Sequence, residues 1–311
     1  MNKLIAFILI VSVCVVNAAP PFKIVGTTLD NVLEPNSDGS INVVSSGSTG
    51  TQSVAVATQP TVAQIPFYQA VSMGLVDGYS KVNKFGHNPA TTDGDTVWGG
   101  GGVYGYFPTN ALSVVAVSTD VDDADGDTGA RTIQVYGLDE NWEEATETVT
   151  LNGTTPVALT NTYIRLFRTI ILTAGSSYSN EGNITVTEVG GSTRVGIFVG
   201  AGDGQTQHCI YTVPAGKTAY FIKGYVGVAD DDKNGEVAEF QWQARPNNGH
   251  TGAWAVKGEI GLNNVGSGHW QYEYGVPSGP IPEKTDIRIV VIDVTATIGV
   301  VGGFDMLLVD D

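Results

Sequence analysis

The chain reads as an all-β protein: two antiparallel β-sandwich, jelly-roll-like domains preceded by an extended N-terminal arm. Three observations predict this. Glycine supplies 40 of 311 residues and charged residues only 15%, against usual shares of ~7% and ~25%. That is the composition of short strands joined by tight turns. From residue 103 onward, runs rich in Val, Ile, Thr and aromatics recur at the ~8–12-residue spacing of a sandwich. No amphipathic helical pattern longer than ~12 residues competes with them after the first twenty residues.

Taken in order, residues 1–18 have the three parts of a secretory signal. Lys3 is the basic start, Leu4 to Val16 an apolar run, and Val16-Asn17-Ala18 presents small residues at −3 and −1 of a cleavage point. The alternative reading is an apolar assembly arm. The run is too short to span a ~30 Å hydrocarbon core comfortably, and no later segment reaches ~18 apolar residues. No integral membrane segment is therefore expected once the signal is removed.

Residues 19–65 are rich in Ser, Thr, Gly, Asn and Pro with short apolar alternations, and are expected to form the extended arm. Asn36-Ser37-Asp38-Gly39 has turn chemistry between Val32-Leu33 and Ile41–Val44. Ile41, Val43, Val54 and Val56 are the arm's candidate assembly residues, placed to add a strand to a neighbour's open sheet edge. Residues 65–76 form the one short helical candidate, closed by Gly74 and Asp77-Gly78. A glycine loop, 94–102, follows.

Strands are then expected at 113–119, 132–136, 146–151, 163–172, 183–189 and 193–199. A further set is expected at 208–213, 219–228, 236–245, 254–262, 269–274, 286–295 and 302–309. Turn chemistry separates them at Asn152-Gly153, Pro214-Ala215-Gly216, Asn247-Asn248-Gly249 and Pro277-Ser278-Gly279-Pro280. The alternation in Thr132-Ile133-Gln134-Val135-Tyr136 puts Ile133 and Val135 on one face. Strand signals thin at Gly190-Gly191 and Gly200–Gly204, so the two sandwiches are placed at 66–191 and 192–311.

The net charge of −17 argues against nucleic acid as a partner, because phosphate binding needs cationic side chains to replace counterions. It argues against anionic membrane surfaces for the same reason. Loss of residues 1–18 removes Cys14 and leaves Cys209 alone, so the mature chain forms no intrachain disulfide. Cys209 sits in an apolar stretch and reads as a small buried hydrophobe.

Two acidic loops are candidates for an ion. Asp120, Asp122, Asp123, Asp125 and Asp127 fail the twelve-residue calcium loop, since alignment on Gly126 puts Val121 first and Thr132 last. Asp230-Asp231-Asp232-Lys233-Asn234-Gly235 fits better, with Asp230, Asp232 and Asn234 as alternate oxygen donors and Glu236 or Glu239 in place of the missing closing carboxylate. An ordinary acidic turn is the competing reading, so no cofactor is required and Ca²⁺ is the one candidate.

The aromatics Trp254, Trp270 and Tyr272, with Trp242 and Tyr274, offer a glycan-stacking surface; core or interface packing is the alternative. No nucleophile elbow, metal-spaced histidines or phosphate loop is present, and no carboxylate pair is singled out for glycoside hydrolysis. No catalytic residue is assigned.

Several phrases follow one another in a set order along the chain. They are Lys84-Phe85-Gly86-His87-Asn88-Pro89, Val97-Trp98-Gly99, Gly129-Ala130-Arg131-Thr132, and Tyr136-Gly137-Leu138-Asp139. Glu147–Thr154, Val213–Thr218 and Lys284–Ile287 follow. Together, from about residue 70 to the C-terminus, they resemble a family of marine and environmental bacteriophage β-rich virion structural proteins. The resemblance implies a capsid-decoration, head-fibre or tail-associated role, without catalysis. The signal-like N-terminus departs from it, because virion proteins are assembled inside the host. The expected function is thus a non-enzymatic structural protein, a self-assembling homo-oligomer or partner of other virion or surface proteins, on a virion or secreted as an extracellular filament or layer. The alternative is a secreted carbohydrate-binding module.

Overall fold

A computed structural model describes residues 65–190, 194–229, 236–247, 252–263 and 268–311 in full, and short strands at 24–26, 29–35, 41–44 and 52–54 by their backbone. The chain divides into two units, 1–66 and 67–311.

In the first unit, β1 (Ile24–Gly26), β2 (Leu29–Pro35), β3 (Ile41–Val44) and β4 (Gln52–Val54) pair antiparallel in chain order. Pro35 opposes Ile41 and Val32 opposes Val44; the turn expected at Asn36–Gly39 lies outside the described residues. Ile41 opposes Val54 and Val43 opposes Gln52; Val56 lies outside the described residues. The expected extended arm is corrected here: its alternating segments are long enough to pair with one another.

The second unit is almost entirely β. It opens with α1 (Phe67–Ser72) and β5 (Tyr79–Thr91). Next come β6 (Leu112–Ser118), β7 (Ala130–Leu138), β8 (Glu144–Thr150), β9 (Val157–Tyr163), β10 (Arg165–Ala174), β11 (Ile184–Glu188) and β12 (Val195–Val199). They form two facing sheets, β10-β7-β8 and β12-β11-β6-β9. Ile133 and Val135 are buried as their alternation predicts, against Val114, Tyr163, Leu166, Ile184, Val186 and Ile197.

The second sandwich comprises β13 (Ile210–Thr212), β14 (Lys217–Val228), β15 (Val237–Pro246), β16 (Ala255–Asn263), β17 (His269–Ile281), β18 (Thr285–Val294) and β19 (Ile298–Asp310). Its sheets, β13-β18-β15-β16 and β17-β14-β19-β5, enclose Phe240, Trp242, Ile287, Ile289, Phe304 and Met306. Every strand in both is antiparallel to its neighbours.

Two departures from the sequence reading matter. The boundary at 191/192 does not divide the sandwiches. β5 pairs along its length with β19, and β12 pairs with β11, so the first sandwich is inserted between β5 and β13 of the second. The proline run at 277–280 is also not a turn. β17 continues through it, and its register against β14 passes from Lys223↔Glu273 to Phe221↔Ser278. A bulge at an edge strand absorbs the extra residues, which is where proline is tolerated in a sheet.

A buried charge cluster joins the sandwiches. Arg165 on β10 donates from Nε to Asp286 Oδ1 at 2.7 Å and from Nη2 to Oδ2 at 3.0 Å. Arg245 Nη2 donates to Oδ2 at 2.7 Å and Thr212 Oγ1 to Oδ1 at 2.8 Å. Asp286 is fully buried and Arg165 nearly so. Burial pushes the Asp286 carboxyl up, but Arg165 foremost, with the donors around it, holds it below the usual carboxylate range.

Close approach also fixes some glycines inside strands. A methyl on Gly137 of β7 would overlap the Arg165 carbonyl and come within 2.6 Å of the Tyr163 ring. Gly137→Ala is therefore expected to cost about 1–3 kcal/mol, read as a lower urea midpoint with an unchanged slope; an unchanged midpoint would overturn this reading.

Candidate functional site

β16 and β17 are the terminal strands of the two sheets of the second sandwich. Between them opens a groove of about 220 Å³ lined by Trp242, Trp270, Tyr272 and Tyr274, with Phe221, Gly224 and Gly258 beneath and Lys223, Lys257 and Glu259 alongside. Strand alternation builds the wall: Trp270, Tyr272 and Tyr274 are spaced two apart on β17 and so share one face. Trp270 and Tyr272 stack at 5.8 Å with an interplanar angle of 5°. Tyr272 and Tyr274 meet edge-on at 4.8 Å, and Trp242 tilts against Trp270 at 5.4 Å.

The depth of each ring differs. Trp242 is buried, Trp270 and Tyr274 half-buried, and Tyr272 48% exposed. Trp242 Nε1 is buried and has no hydrogen-bond partner among the described residues. Lys223 Nζ lies 5.9 Å from the centre of the Tyr225 ring, an attractive arrangement for a cation. The Glu259 carboxylate accepts from Gln241 Nε2.

Two of the three expected stacking residues, Trp270 and Tyr272, thus come together. Trp254 does not join them. It packs beside the junction of the sandwiches, with the Arg288 guanidinium at 4.0 Å, Arg245 at 4.5 Å and the Phe107 ring at 5.6 Å. Strand alternation around Phe240 and Trp242 was the one sequence signal for Trp242's depth; the pairing of β16 with β15 that opens the groove beside it is a long-range fact.

Of the expected calcium ligands, Asp230, Asp232 and Asn234 lie outside the described residues, and Glu236 accepts from Thr295 Oγ1 at 2.5 Å. The first acidic loop is differently organised. Asp123 is fully buried and accepts from Ser118 Oγ at 2.5 Å, Ala130 N at 2.7 Å, and Glu181 N and Gly182 N at 2.9 Å each. It pins the loop at 119–129 to the one at 176–183. Asp120, Asp122 and Glu181 bring carboxylate oxygens within 4.8 Å of one another, and desolvation with the Glu181 and Asp120 charges raises Asp122. No twelve-residue pattern finds that trio, because Glu181 arrives from another loop.

Cys209 is fully buried, as its apolar neighbours predict, and burial pushes its thiol well up. It is not a poised nucleophile. His208, also buried, accepts at Nε2 from Phe198 N at 3.4 Å, and burial followed by the Lys84 charge holds it well below the ordinary histidine range.

No family model and no curated protein matches this chain. Among solved structures it is similar to the PBSX exported protein XepA at 10% identity, covering 73% of this chain and 84% of that one, with a TM-score of 0.16. It is similar to an infectious bursal disease virus VP2 subviral particle at 8% identity, covering 79% and 78%, with a TM-score of 0.15. It is also similar to vicilin from Corylus avellana (hazelnut) at 9% identity, covering 92% and 85%, with a TM-score of 0.13. Likenesses this slight carry no weight for function. No helix among the described residues is long and apolar enough to cross a membrane.

Proposed function

We propose that this chain is a non-enzymatic structural subunit that self-assembles with further copies of itself, on a virion or as a secreted surface filament or layer. The observation that supports this most is an exposed apolar group at the start of the second unit. Phe67 is 48% exposed, Met73 64% and Leu75 60%, with Tyr68 and Tyr79 also open. Phe67 meets Tyr68 edge-on at 5.6 Å and Tyr79 at 5.3 Å, so the rings form one surface. α1 buries only Val71 toward Ile222 and Leu307. A short helix and the turn after it that leave Phe67, Tyr68, Met73 and Leu75 open to water mark a contact surface. The N-terminal strands carrying Ile41, Val43 and Val54 lie just before it in the chain, and would act as a paired module rather than as a lone donated strand.

Sedimentation velocity tests the reading. The chain is expected to sediment well above a 32.6 kDa monomer. Both deletion of residues 19–65 and the combined Phe67→Ser, Met73→Ser, Leu75→Ser change are expected to return it to a monomer. A parent that is already a monomer, or an assembly indifferent to both changes, overturns it.

A further inference from the structure

We propose that the groove between β16 and β17 is a binding site for a short acidic saccharide, stacked on Trp270 and Tyr272 and reaching the Trp242 indole beneath them. The first argument is shape. Sugar rings present flat C–H faces that pack on aromatic rings, and such sites combine apolar walls with a few placed polar groups. The groove's volume of about 220 Å³ lies below the ~300–1,000 Å³ of pockets that enclose drug-sized ligands, which suits one or two sugar rings.

The second argument is the floor. A buried donor without a partner costs about 1–3 kcal/mol, and Trp242 Nε1 is such a donor. Gly224 keeps that edge of the indole free of side-chain cover: a methyl there would lie 3.2 Å from Nε1. On the other strand, a methyl on Gly258 would lie 3.7 Å from the same indole. Gly224 is the glycine beside Nε1, Gly258 lying against Cε3 of the ring, and it leaves room for a hydroxyl to accept from Nε1. A strand from another copy would instead bring a backbone with alternating side chains, which neither the small volume nor this isolated donor favours.

The third argument is charge. In a chain with 32 acidic and 15 basic side chains, the groove is lined by two lysines, Lys223 and Lys257, and one acid. That acid, Glu259, is occupied by Gln241. Lys223 stands opposite Glu273 on β17, which leaves Lys257 as the cation beside the rings, suited to a single carboxylate or sulfate on the sugar.

Calorimetric and tryptophan-fluorescence titrations with glucuronate-containing di- to tetrasaccharides, and with glucose oligomers of equal length, test this. Saturable binding of the acidic oligomers is expected, several-fold tighter than of the neutral ones. Trp270→Ala and Gly224→Ala are each expected to weaken it about tenfold or more, with sedimentation and circular dichroism unchanged. Failure of both oligomer classes to bind, equal binding of the two, or undiminished binding by both variants overturns the proposal. So does a Trp270→Ala chain that loses self-association rather than sugar binding, which would make the groove a protein contact. Assembly is read separately by sedimentation, so either reading can fail alone.

Discussion

Asp286→Ala is expected to cost the second unit about 3–5 kcal/mol, because it strands two buried or half-buried guanidinium groups rather than removing one contact. Arg165 loses a two-point pairing with the carboxylate, at 2.7 and 3.0 Å, and Arg245 loses its 2.7 Å partner. Arg165 keeps only the Pro108 and Ile164 carbonyls, Asn247, and the faces of Phe107 and Trp142. In a unit of this size the change corresponds to a fall of roughly 10 °C in melting temperature. The combined Arg165→Met, Asp286→Leu change removes the deeply buried pair and strands only Arg245, whose side chain is 19% exposed, and is expected to cost less. Equal losses in the two variants would show that packing, not stranded charge, sets the effect. The pH dependence has one sign. The Asp286 carboxyl lies lower in the folded chain than in the unfolded one, so its contribution is complete above about pH 4. It disappears as pH falls through the folded value.

That cluster shows where sequence reading reaches its limit. Asp286 and Arg165 stand 121 positions apart, and nothing local marks them as partners. The thirteen strands expected from alternation and turn chemistry all correspond to strands of the fold, because their buried positions are aliphatic or aromatic and their turns use Gly, Asn and Pro. β5 escaped for the opposite reason. Its inward positions are Lys84, Gly86, Asn88 and Thr91, so a period-2 pattern is present but carries no hydrophobic signal. The inward position 86 is glycine because a methyl there would lie 2.6 Å from the Val97 carbonyl oxygen and 2.9 Å from Cys209 Sγ. Missing β5 also misplaced the domain boundary, since its pairing with β19 is what makes the first sandwich an insertion. β9 escaped because Thr and Asn interrupt it and only Leu159 and Tyr163 are turned fully inward. The aromatic wall of the groove is half legible in the sequence: spacing two apart identifies Trp270, Tyr272 and Tyr274 as one face, whereas the groove depends on two sheet edges opening side by side.

β5 also carries the second large effect. The Lys84 side chain is buried and donates to the Phe167 carbonyl on β10, tying the inserted sandwich to the strand that precedes it. Burial, with the Arg168 charge adding to it and the Cys209 thiol weakly opposing, lowers its amine from the ordinary 10.5 to about 7. Between those values the unfolded chain holds a proton on Lys84 that the folded chain has released. Stability therefore rises with pH from pH 7, by about 1.5 kcal/mol to pH 8.5. His208, which faces Lys84, acts in the same direction at lower pH. It is neutral when folded, so stability falls as pH drops below about 6.5 and the unfolded histidine takes up its proton. From about pH 8.5 the unfolded Cys209 thiol ionises while the buried one does not, which offsets the climb. Above about pH 10 unfolded tyrosines ionise while the buried Tyr104 and Tyr211, both held well above their ordinary value, do not, so stability falls. Urea midpoints measured from pH 5 to pH 11 are expected to climb to about pH 8.5, level off, and fall above about pH 10. Lys84→Met is expected to flatten the climb between about pH 7 and pH 8.5 while leaving the acid-side fall. The slope, not the absolute stability, is decisive, because methionine also leaves the Phe167 carbonyl without its donor. A parent chain flat over that window, or a Lys84→Met chain that keeps the climb, would show that this lysine stays charged in the folded protein.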